Sequence, residues 1–337
     1  MSQLKVVLLE DRYASHDHER KVLEAIGARV VEGGHAQTAG AIIALCRDAD
    51  GITVNLARLT AEVIAGLERC KVIARYGVGY DNVDVAAASR KGIQVVNVPD
   101  YCFEDVSDQA MALWLACVRK TALRDRQVRA GRWDIGRQDP IGRIAGKVFG
   151  LAGYGGIART LHRKLRGFNL ARVLVLDPFV PAETVRAAGA EPVDFATLLT
   201  ESDYISCHVP LNPNTAHLFN RDAFARMKPT ALFINTSRGG LVDTAALHEA
   251  LKHKRLAGAG LDVHEQEPVP KDYILFELDN VVLSDHTGWY SEESQIELQT
   301  KAAQGVADVL TGKTPHSVVN RANLGHSSGM GEPKKDF

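Results

Sequence analysis

Val148-Phe-Gly-Leu-Ala-Gly153-Tyr-Gly155-Gly156-Ile-Ala158-Arg-Thr-Leu-His-Arg-Lys-Leu165 carries the strongest structural signal in the chain. Its apolar opening, Val148–Leu151, reads as a strand. That strand runs into Gly153-Tyr-Gly155-Gly156-Ile-Ala158, and a helix reads from Ile157 to Leu165. This is the G-x-G-x-x-G/A pattern in its strand–turn–helix setting, and its physics points to a dinucleotide. Gly153 makes the tight turn, Gly155 lets the backbone approach a pyrophosphate, and the small Ala158 lets helix pack on strand. The helix N-terminus at Gly156 and Ile157 attracts phosphate. A glycine-rich turn by itself also serves purely structural ends. Here, twenty-four residues past Gly153, the next strand ends in Asp177. A carboxylate there can accept from both ribose hydroxyls and repels a 2′-phosphate. Pro178 and Phe179 follow it where an Arg would favour the phosphate, so NAD is expected over NADP.

Outward from this point, β-rich runs alternate with helical patterns in both directions. Upstream, residues 5–9, 28–31, 51–54, 72–75 and 93–98 read as strands, with helices near 18–26, 38–47, 60–69 and 83–91. One long helical pattern then runs from Glu104 to about Ala130. Downstream, strands fall at Val173–Leu176, Tyr204–Val209, Ala231–Asn235, Gly258–Val263 and Val281–Ser284. A last amphipathic helix runs from Glu292 to Leu310 and stops at Gly312. Strand–helix alternation throughout means α/β architecture, in two doubly wound parallel-sheet lobes. The last helix is expected to return to the first lobe. Residues 321–337, rich in Gly, Ser, Lys and Pro, read as a flexible tail.

Composition agrees with this class. In 337 residues, 45% are hydrophobic and 24% charged, and 40 Lys and Arg nearly balance 41 Asp and Glu. That balance offers no field for a polyanion, so nucleic acid is not an expected partner. No apolar run approaches the roughly 20 residues of a membrane span. Five scattered cysteines without a C-x-x-C pair read as reduced thiols, not as a zinc site or a disulfide frame. With no signal-peptide layout ahead of Lys5, the expected location is the cytoplasm and the expected metal is none.

Three polar residues follow successive late strands. Arg238 lies in Asn235-Thr-Ser-Arg-Gly-Gly240, Glu267 in His264-Glu-Gln-Glu-Pro268, and His286 just past Val281-Val-Leu-Ser284. Taken singly, each also fits a structural role: Arg238 a loop salt bridge, Glu267 a surface turn, His286 a strand-end histidine. Strand C-terminal ends in an open parallel sheet face the ligand crevice, however, so the three should converge. Reduction of a 2-oxo acid needs such a set. Arg238 offers a planar cation to carboxylate and carbonyl. His286 can give a proton to the developing alkoxide, and a neighbouring Glu267 would orient the ring and favour its protonated form.

Together these residues resemble the D-specific 2-hydroxyacid dehydrogenase family over about residues 50–320. The resemblance rests on Arg75-Tyr-Gly-Val-Gly-Tyr-Asp-Asn-Val-Asp84, Gly92-Ile-Gln-Val-Val-Asn-Val-Pro99, the nucleotide loop, Asn235–Asp243, and Leu261-Asp-Val263 with Glu267-Pro268. It implies a flavodoxin-like substrate lobe from residues 1–100 plus 291–320 and a Rossmann NAD lobe from 101–290. It implies a homodimer joined through the NAD lobes, with the long helix after Glu104 contributing. The family's catalytic Arg, Glu and His fall on Arg238, Glu267 and His286. Beyond Gly153 and Gly155, its cofactor contacts fall on Gly156, Ile157, Asp177, His208, Val209, Thr236, Ser237, Asp262 and Gly288, and less firmly on Val78 and Val98. Main-chain groups at Val78 and Gly79 would hold the substrate carboxylate, with Arg75 facing the substrate. Asp285 departs from the Pro usual before the catalytic His: turned into the site it would act on the imidazole, turned to solvent it would not. Gln109, where relatives often carry His, reads as a helix-packing variation. Gly288-Trp-Tyr-Ser-Glu-Glu293 is similar to the C-terminal-binding proteins, corepressors with this fold. A binding module that uses NADH without much turnover therefore stands as the alternative to an enzyme.

Overall fold

A computed structural model describes residues 3–10, 12–36, 38–134 and 139–324 of the chain. Two compact units divide the described residues, one formed through Tyr101 and again from Ser291 to Leu324, the other by Cys102–Tyr290.

The first unit runs β1 (Lys5–Leu9), α1 (Asp17–Glu24), β2 (Arg29–Glu32), α2 (Ala39–Cys46), β3 (Gly51–Val54), α3 (Ala61–Ala65), β4 (Val72–Arg75), α4 (Val85–Arg90) and β5 (Gln94–Val96). Its five strands are all parallel in the order β2-β1-β3-β4-β5, the flavodoxin-like arrangement expected. Successive strand side chains alternate between faces. Val7 and Leu9 point to a core made with α2, α3 and α4. Val6 and Leu8 point to another that includes Leu23 of α1.

The second unit begins with α5 (Phe103–Arg119) and α6 (Thr121–Arg129). It continues β6 (Val148–Ala152), α7 (Gly156–Leu165), β7 (Arg172–Leu176), α8 (Ala182–Ala187), β8 (Glu191–Pro192), α9 (Phe195–Glu201), β9 (Tyr204–Cys207), α10 (Arg221–Arg226), β10 (Leu232–Asn235), α11 (Thr244–Lys252), β11 (Gly258–Leu261) and β12 (Val281–Leu283). Strand order is β12-β11-β10-β9-β6-β7-β8, all parallel: the Rossmann order with a seventh strand added. Leu113, Trp114 and Leu161 cover one face with Phe149 and Val175, and Leu198, Phe224 and Leu247 cover the other with Ile205 and Phe233. Burial on both faces explains why the strands read as continuous apolar runs.

The chain then returns to the first unit as α12 (Glu292–Leu310), opened by a capping box between Ser291 and Ser294. Ala303, Val306 and Ala307 pack on Val72, Ala74 and Val96. A buried polar tie adds to this: fully buried Glu19 accepts from Gln299 Nε2 at 2.9 Å and from the Tyr76 hydroxyl at 2.9 Å.

Two expectations need correction. The helix read from Glu104 to Ala130 is two helices, because Lys120 adopts the left-handed conformation (φ 55°) and ends α5. The burial pattern gives the reason, since α5 buries seven residues and α6 none, so α6 has no core to continue along. Of the tail, Arg321–Asn323 form a 3-10 turn after buried Asn320, whose amide donates to Ile93 O and Ser89 Oγ. Residues 325–337 lie outside the described residues.

Candidate active site

The order of the seven strands reverses between β6 and β9, and the glycine loop follows β6. A cleft of about 480 Å³ opens there, lined by Gly153, Gly155, Gly156, Asp177 and His208, together with Tyr154, Arg159, Phe179, Val180 and Pro210. Gly153 has φ +88°, and a Cβ on it would stand 2.7 Å from the His208 carbonyl oxygen. At Gly155 an added Cβ meets nothing within 4 Å, so this backbone is open to a ligand. Asp177 Oδ2 accepts from Tyr154 N–H at 2.8 Å, while Oδ1 accepts from Phe179 and Val180 N–H at 2.9 and 3.2 Å. Three of its roughly four acceptor positions are therefore occupied. The room left is on Oδ2, for one ribose hydroxyl more readily than for both. His208 packs beside this loop with Nε2 2.9 Å from Ser206 Oγ, and burial lowers its pKa to about 4. It is thus neutral at pH 7 and brings no positive charge to the cleft. Arg159 does bring one: its Nε donates to Tyr154 O at 3.0 Å and its guanidinium lies 5.2 Å from the centre of the Tyr154 ring. Sequence reading overlooked Arg159, although its place in the first turn of α7 was a usable signal.

The remaining expected cofactor residues divide. Thr236 is buried, with no hydrogen-bond partner for Oγ1 among the described residues, which leaves a hydroxyl for a ligand. Ile157 lies in the first turn of α7 and Val209 is buried two residues past β9. Ser237 Oγ instead donates to Cys207 O at 2.9 Å, bridging two strand ends. Asp262 and Gly288 serve each other, as described next. An open glycine backbone at a helix N-terminus, an aspartate after β7 and an orphaned hydroxyl after β10 fit a dinucleotide.

β10, β11 and β12 are neighbours, so Arg238, Glu267 and His286 follow three adjacent strand ends. Buried Asn235 shapes the Arg238 turn by donating to Arg238 O at 2.9 Å and accepting from Ser237 N–H at 3.0 Å. The Arg238 guanidinium reaches back to Ser237 O at 2.8 Å. Glu267 and His286 meet directly, Oε2 to Nδ1 at 2.6 Å, and Glu267 Oε1 accepts from His264 N–H at 2.8 Å. Burial pushes the Glu267 carboxyl up. The hydrogen bond and charge of His286, helped by the His264 N–H, outweigh this and hold it below the usual carboxylate range. An ionised Glu267 only accepts, so His286 Nδ1 carries a proton and Nε2 is left to exchange one.

His286 itself has φ +60°, a left-handed conformation uncommon outside glycine. Asp262 holds it there. The Asp262 carbonyl accepts from His286 N–H at 2.8 Å. Its carboxylate accepts from Ser284 Oγ at 2.7 Å, Thr287 N–H at 3.2 Å and Gly288 N–H at 2.9 Å. Asp262 is 2% exposed. Its carboxylate, expected to contact cofactor, is occupied with the turn that presents His286. Gln109 joins the same network, donating to Ser284 Oγ at 2.8 Å, so it is a polar tie between α5 and this turn and not a packing variation. Asp285 is exposed and accepts from the Thr287 hydroxyl at 3.1 Å, with no hydrogen bond to His286 among the described residues.

The residues expected to hold substrate lie in the other unit. Arg75 ends β4 with its guanidinium on Tyr76 O. The turn after it is pinned through its carbonyls, Val98 N–H donating to Gly77 O at 3.0 Å and Asn97 Nδ2 to Val78 O at 2.7 Å. No group of His, Cys, Asp and Glu suited to a metal ion occurs among the described residues, and none of their helices is long and apolar enough to cross a membrane.

Residues 111–288 match the model of the D-isomer specific 2-hydroxyacid dehydrogenase NAD-binding domain. The chain is 38% identical over 311 residues to a D-3-phosphoglycerate dehydrogenase of Methanocaldococcus jannaschii, covering 92% of this chain but only 58% of that protein. It is 37% identical over 284 residues to a glyoxylate reductase of Korarchaeum cryptofilum, covering 83% and 85%. Among solved structures, D-lactate dehydrogenase from Aquifex aeolicus, complexed with NAD and lactic acid, is similar with a TM-score of 0.82 and 25% identity, covering 91% of this chain and 96% of that one.

Proposed function

Since the chain belongs to the D-isomer specific 2-hydroxyacid dehydrogenase family, we propose that it moves a hydride between NAD(H) and C2 of a small D-2-hydroxy or 2-oxo acid. The observation that carries this is the 2.6 Å contact between Glu267 and His286 at the strand ends of a dinucleotide-binding sheet. The nicotinamide, when bound, supplies or takes the hydride. In the reductive direction, His286 gives its Nε2 proton to the carbonyl oxygen as C2 is reduced. Glu267 orients the imidazole and stabilises its charged form, and Arg238 binds the substrate carboxylate and polarises the carbonyl. In the oxidative direction, neutral His286 takes the hydroxyl proton. Asp177 favours NADH over NADPH.

Main-chain N–H groups at Val78 and Gly79, with Arg75, are assigned to the substrate, which makes the unit of β1–β5 and α12 the substrate domain. The partner is a second copy joined through the NAD domains. A helix α6 that buries no residue, and Trp133 at 90% exposure just beyond it, support this. Free cysteines, four of them buried, suit the cytoplasm.

The test is NADH oxidation, followed by loss of nicotinamide absorbance, against glyoxylate, hydroxypyruvate, pyruvate, phenylpyruvate and 3-phosphohydroxypyruvate, with NADPH as control. Turnover of about 1–10³ per second on one acid is expected. Firm NADH binding with negligible turnover on all five would reverse the reading in favour of a binding module.

A further inference from the structure

His264 is 9% exposed and is bonded through both its main chain and its ring. Its backbone N–H donates to Glu267 Oε1 at 2.8 Å, and its ring Nε2 lies 2.9 Å from the Ser284 carbonyl oxygen. A carbonyl only accepts, so Nε2 carries the ring proton. Nδ1 then accepts from the Tyr273 hydroxyl, 3.3 Å away. The Tyr273 ring stands edge-on at 5.5 Å, and burial raises its phenol so that it keeps its proton. The tautomer is thereby fixed from both sides.

These bonds join the two halves of the acid–base pair. Main chain at His264 holds the carboxylate of Glu267. Side chain at His264 holds the loop that presents His286, two residues ahead of it. Among the described residues, no other hydrogen bond besides the Glu267–His286 contact links residues 264–268 to residues 284–288. Asp262 and Gln109 reach the His286 turn from β11 and α5, but neither touches Glu267. The turn also has a reason to move, because a non-glycine residue at φ +60° persists only where its surroundings hold it.

We propose that His264 is a positioning residue for the Glu267–His286 pair, acting through the bond from its Nε2–H to the Ser284 carbonyl. This rests on the acid–base role given to the pair above. The bond sets the distance at which imidazole meets carboxylate, so its loss loosens the pair without disturbing the cofactor cleft.

The test compares His264→Phe, which keeps a ring and removes the donor, with His264→Gln, whose amide N–H can reach the same carbonyl. The first readout is proton NMR of the full chain without cofactor. A ring N–H in a 2.6 Å bond to a carboxylate resonates far downfield, and its absence from His286→Gln assigns it. His264→Phe is expected to broaden or lose this signal, and His264→Gln to keep it. The second readout is kinetic: His264→Phe lowers kcat about tenfold, the value of roughly one hydrogen bond, with KM and NADH affinity unchanged. His264→Gln recovers most of it. If the Phe variant does not fold, His264→Met against His264→Gln makes the same comparison at matched length. A retained signal and a wild-type kcat in the donor-less variant overturn the inference, as does equal damage in the Gln variant. A wild type inactive on every acid defeats the proposed function instead, and the NMR comparison then still decides whether His264 sets the pair.

Discussion

Gly153 and Gly155 are two residues apart in one loop, and substitution by Ala should separate what each does. At Gly153 the backbone has φ +88°, and an added Cβ stands 2.7 Å from His208 O, 2.8 Å from His208 C and 3.1 Å from Val209 N. All three are main-chain atoms, so no rotamer change relieves the clash. The left-handed conformation costs an alanine about 1–2 kcal/mol, and the overpacking about 1–3 kcal/mol more. A less flexible unfolded chain returns about 0.4–1 kcal/mol. The net loss of about 1–5 kcal/mol is a sizeable part of the ~5–15 kcal/mol that holds a domain together. Gly155 has φ −74° and open space around the added carbon, so Gly155→Ala should leave the apo fold unchanged or slightly steadier. Its cost falls on the ligand: NADH affinity should drop about 10–100-fold, or ~1.4–2.7 kcal/mol. Urea unfolding read by tryptophan fluorescence suits the first question. Trp114 is fully buried against Phe149, Phe168 and Tyr204, beside the strand that leads to this loop. Calorimetric titration with NADH suits the second. A Gly153→Ala protein with an unchanged unfolding midpoint would refute the close approach to His208. Wild-type NADH affinity in Gly155→Ala would show that the phosphates sit elsewhere.

Three further outcomes can be checked. His286→Gln should lower turnover by two or more orders of magnitude, as expected for loss of a general acid, while calorimetry finds NADH affinity nearly unchanged. A matching loss of binding would remove the proton-transfer role. Asp177→Asn should narrow the ratio of kcat/KM for NADH over NADPH, because the negative charge that repels a 2′-phosphate is gone. It should disturb the loop less than Asp177→Ala, which leaves three backbone N–H donors without their acceptor. For pH, His208 has a folded pKa depressed to about 4, so between there and the unfolded value near 6.5 the unfolded state binds the extra proton. Its contribution to stability is complete above pH 6.5 and is lost as pH falls towards 4, amounting to about 3 kcal/mol at most. In urea unfolding at pH 7 and pH 4.5, His208→Asn should lose less stability on acidification than the wild type, and an equal loss in both would exclude His208 as the source.

The fold was largely legible because both sheets are buried on both faces, so each strand is a short apolar run bounded by polar turns. β8 escaped notice since it is a two-residue edge strand, Glu191–Pro192, too short for any periodicity. The break at Lys120 escaped because lysine is no helix breaker, and only the end of the buried face stops α5 there. In the site, the Glu267–His286 contact followed from adjacent strand ends. The task of Asp262 did not, because it depends on His286 turning left-handed, and nothing in Ser284-Asp-His-Thr-Gly288 announces φ +60° at a histidine. The ties from Gln109 and His264 were hidden for the same reason: their partners are defined only once that turn exists.

The return of α12 has a bearing on how the chain is made. A ribosome delivers β1 to β5 first, yet one face of their sheet, with Val6, Leu8, Val72, Ala74 and Val96, is closed by Ala303, Val306 and Ala307. Roughly two hundred residues must emerge between the two. The middle unit, continuous from Cys102 to Tyr290, can complete its core before the first-made unit can. Throughout that interval the nascent N-terminal sheet carries an open apolar face, the kind of surface that chaperones bind and that aggregates when synthesis stalls. A nonsense codon between β5 and Glu292 would leave that face covered by α1 alone, so truncated chains should be cleared or aggregate even when every residue of the nucleotide cleft is present.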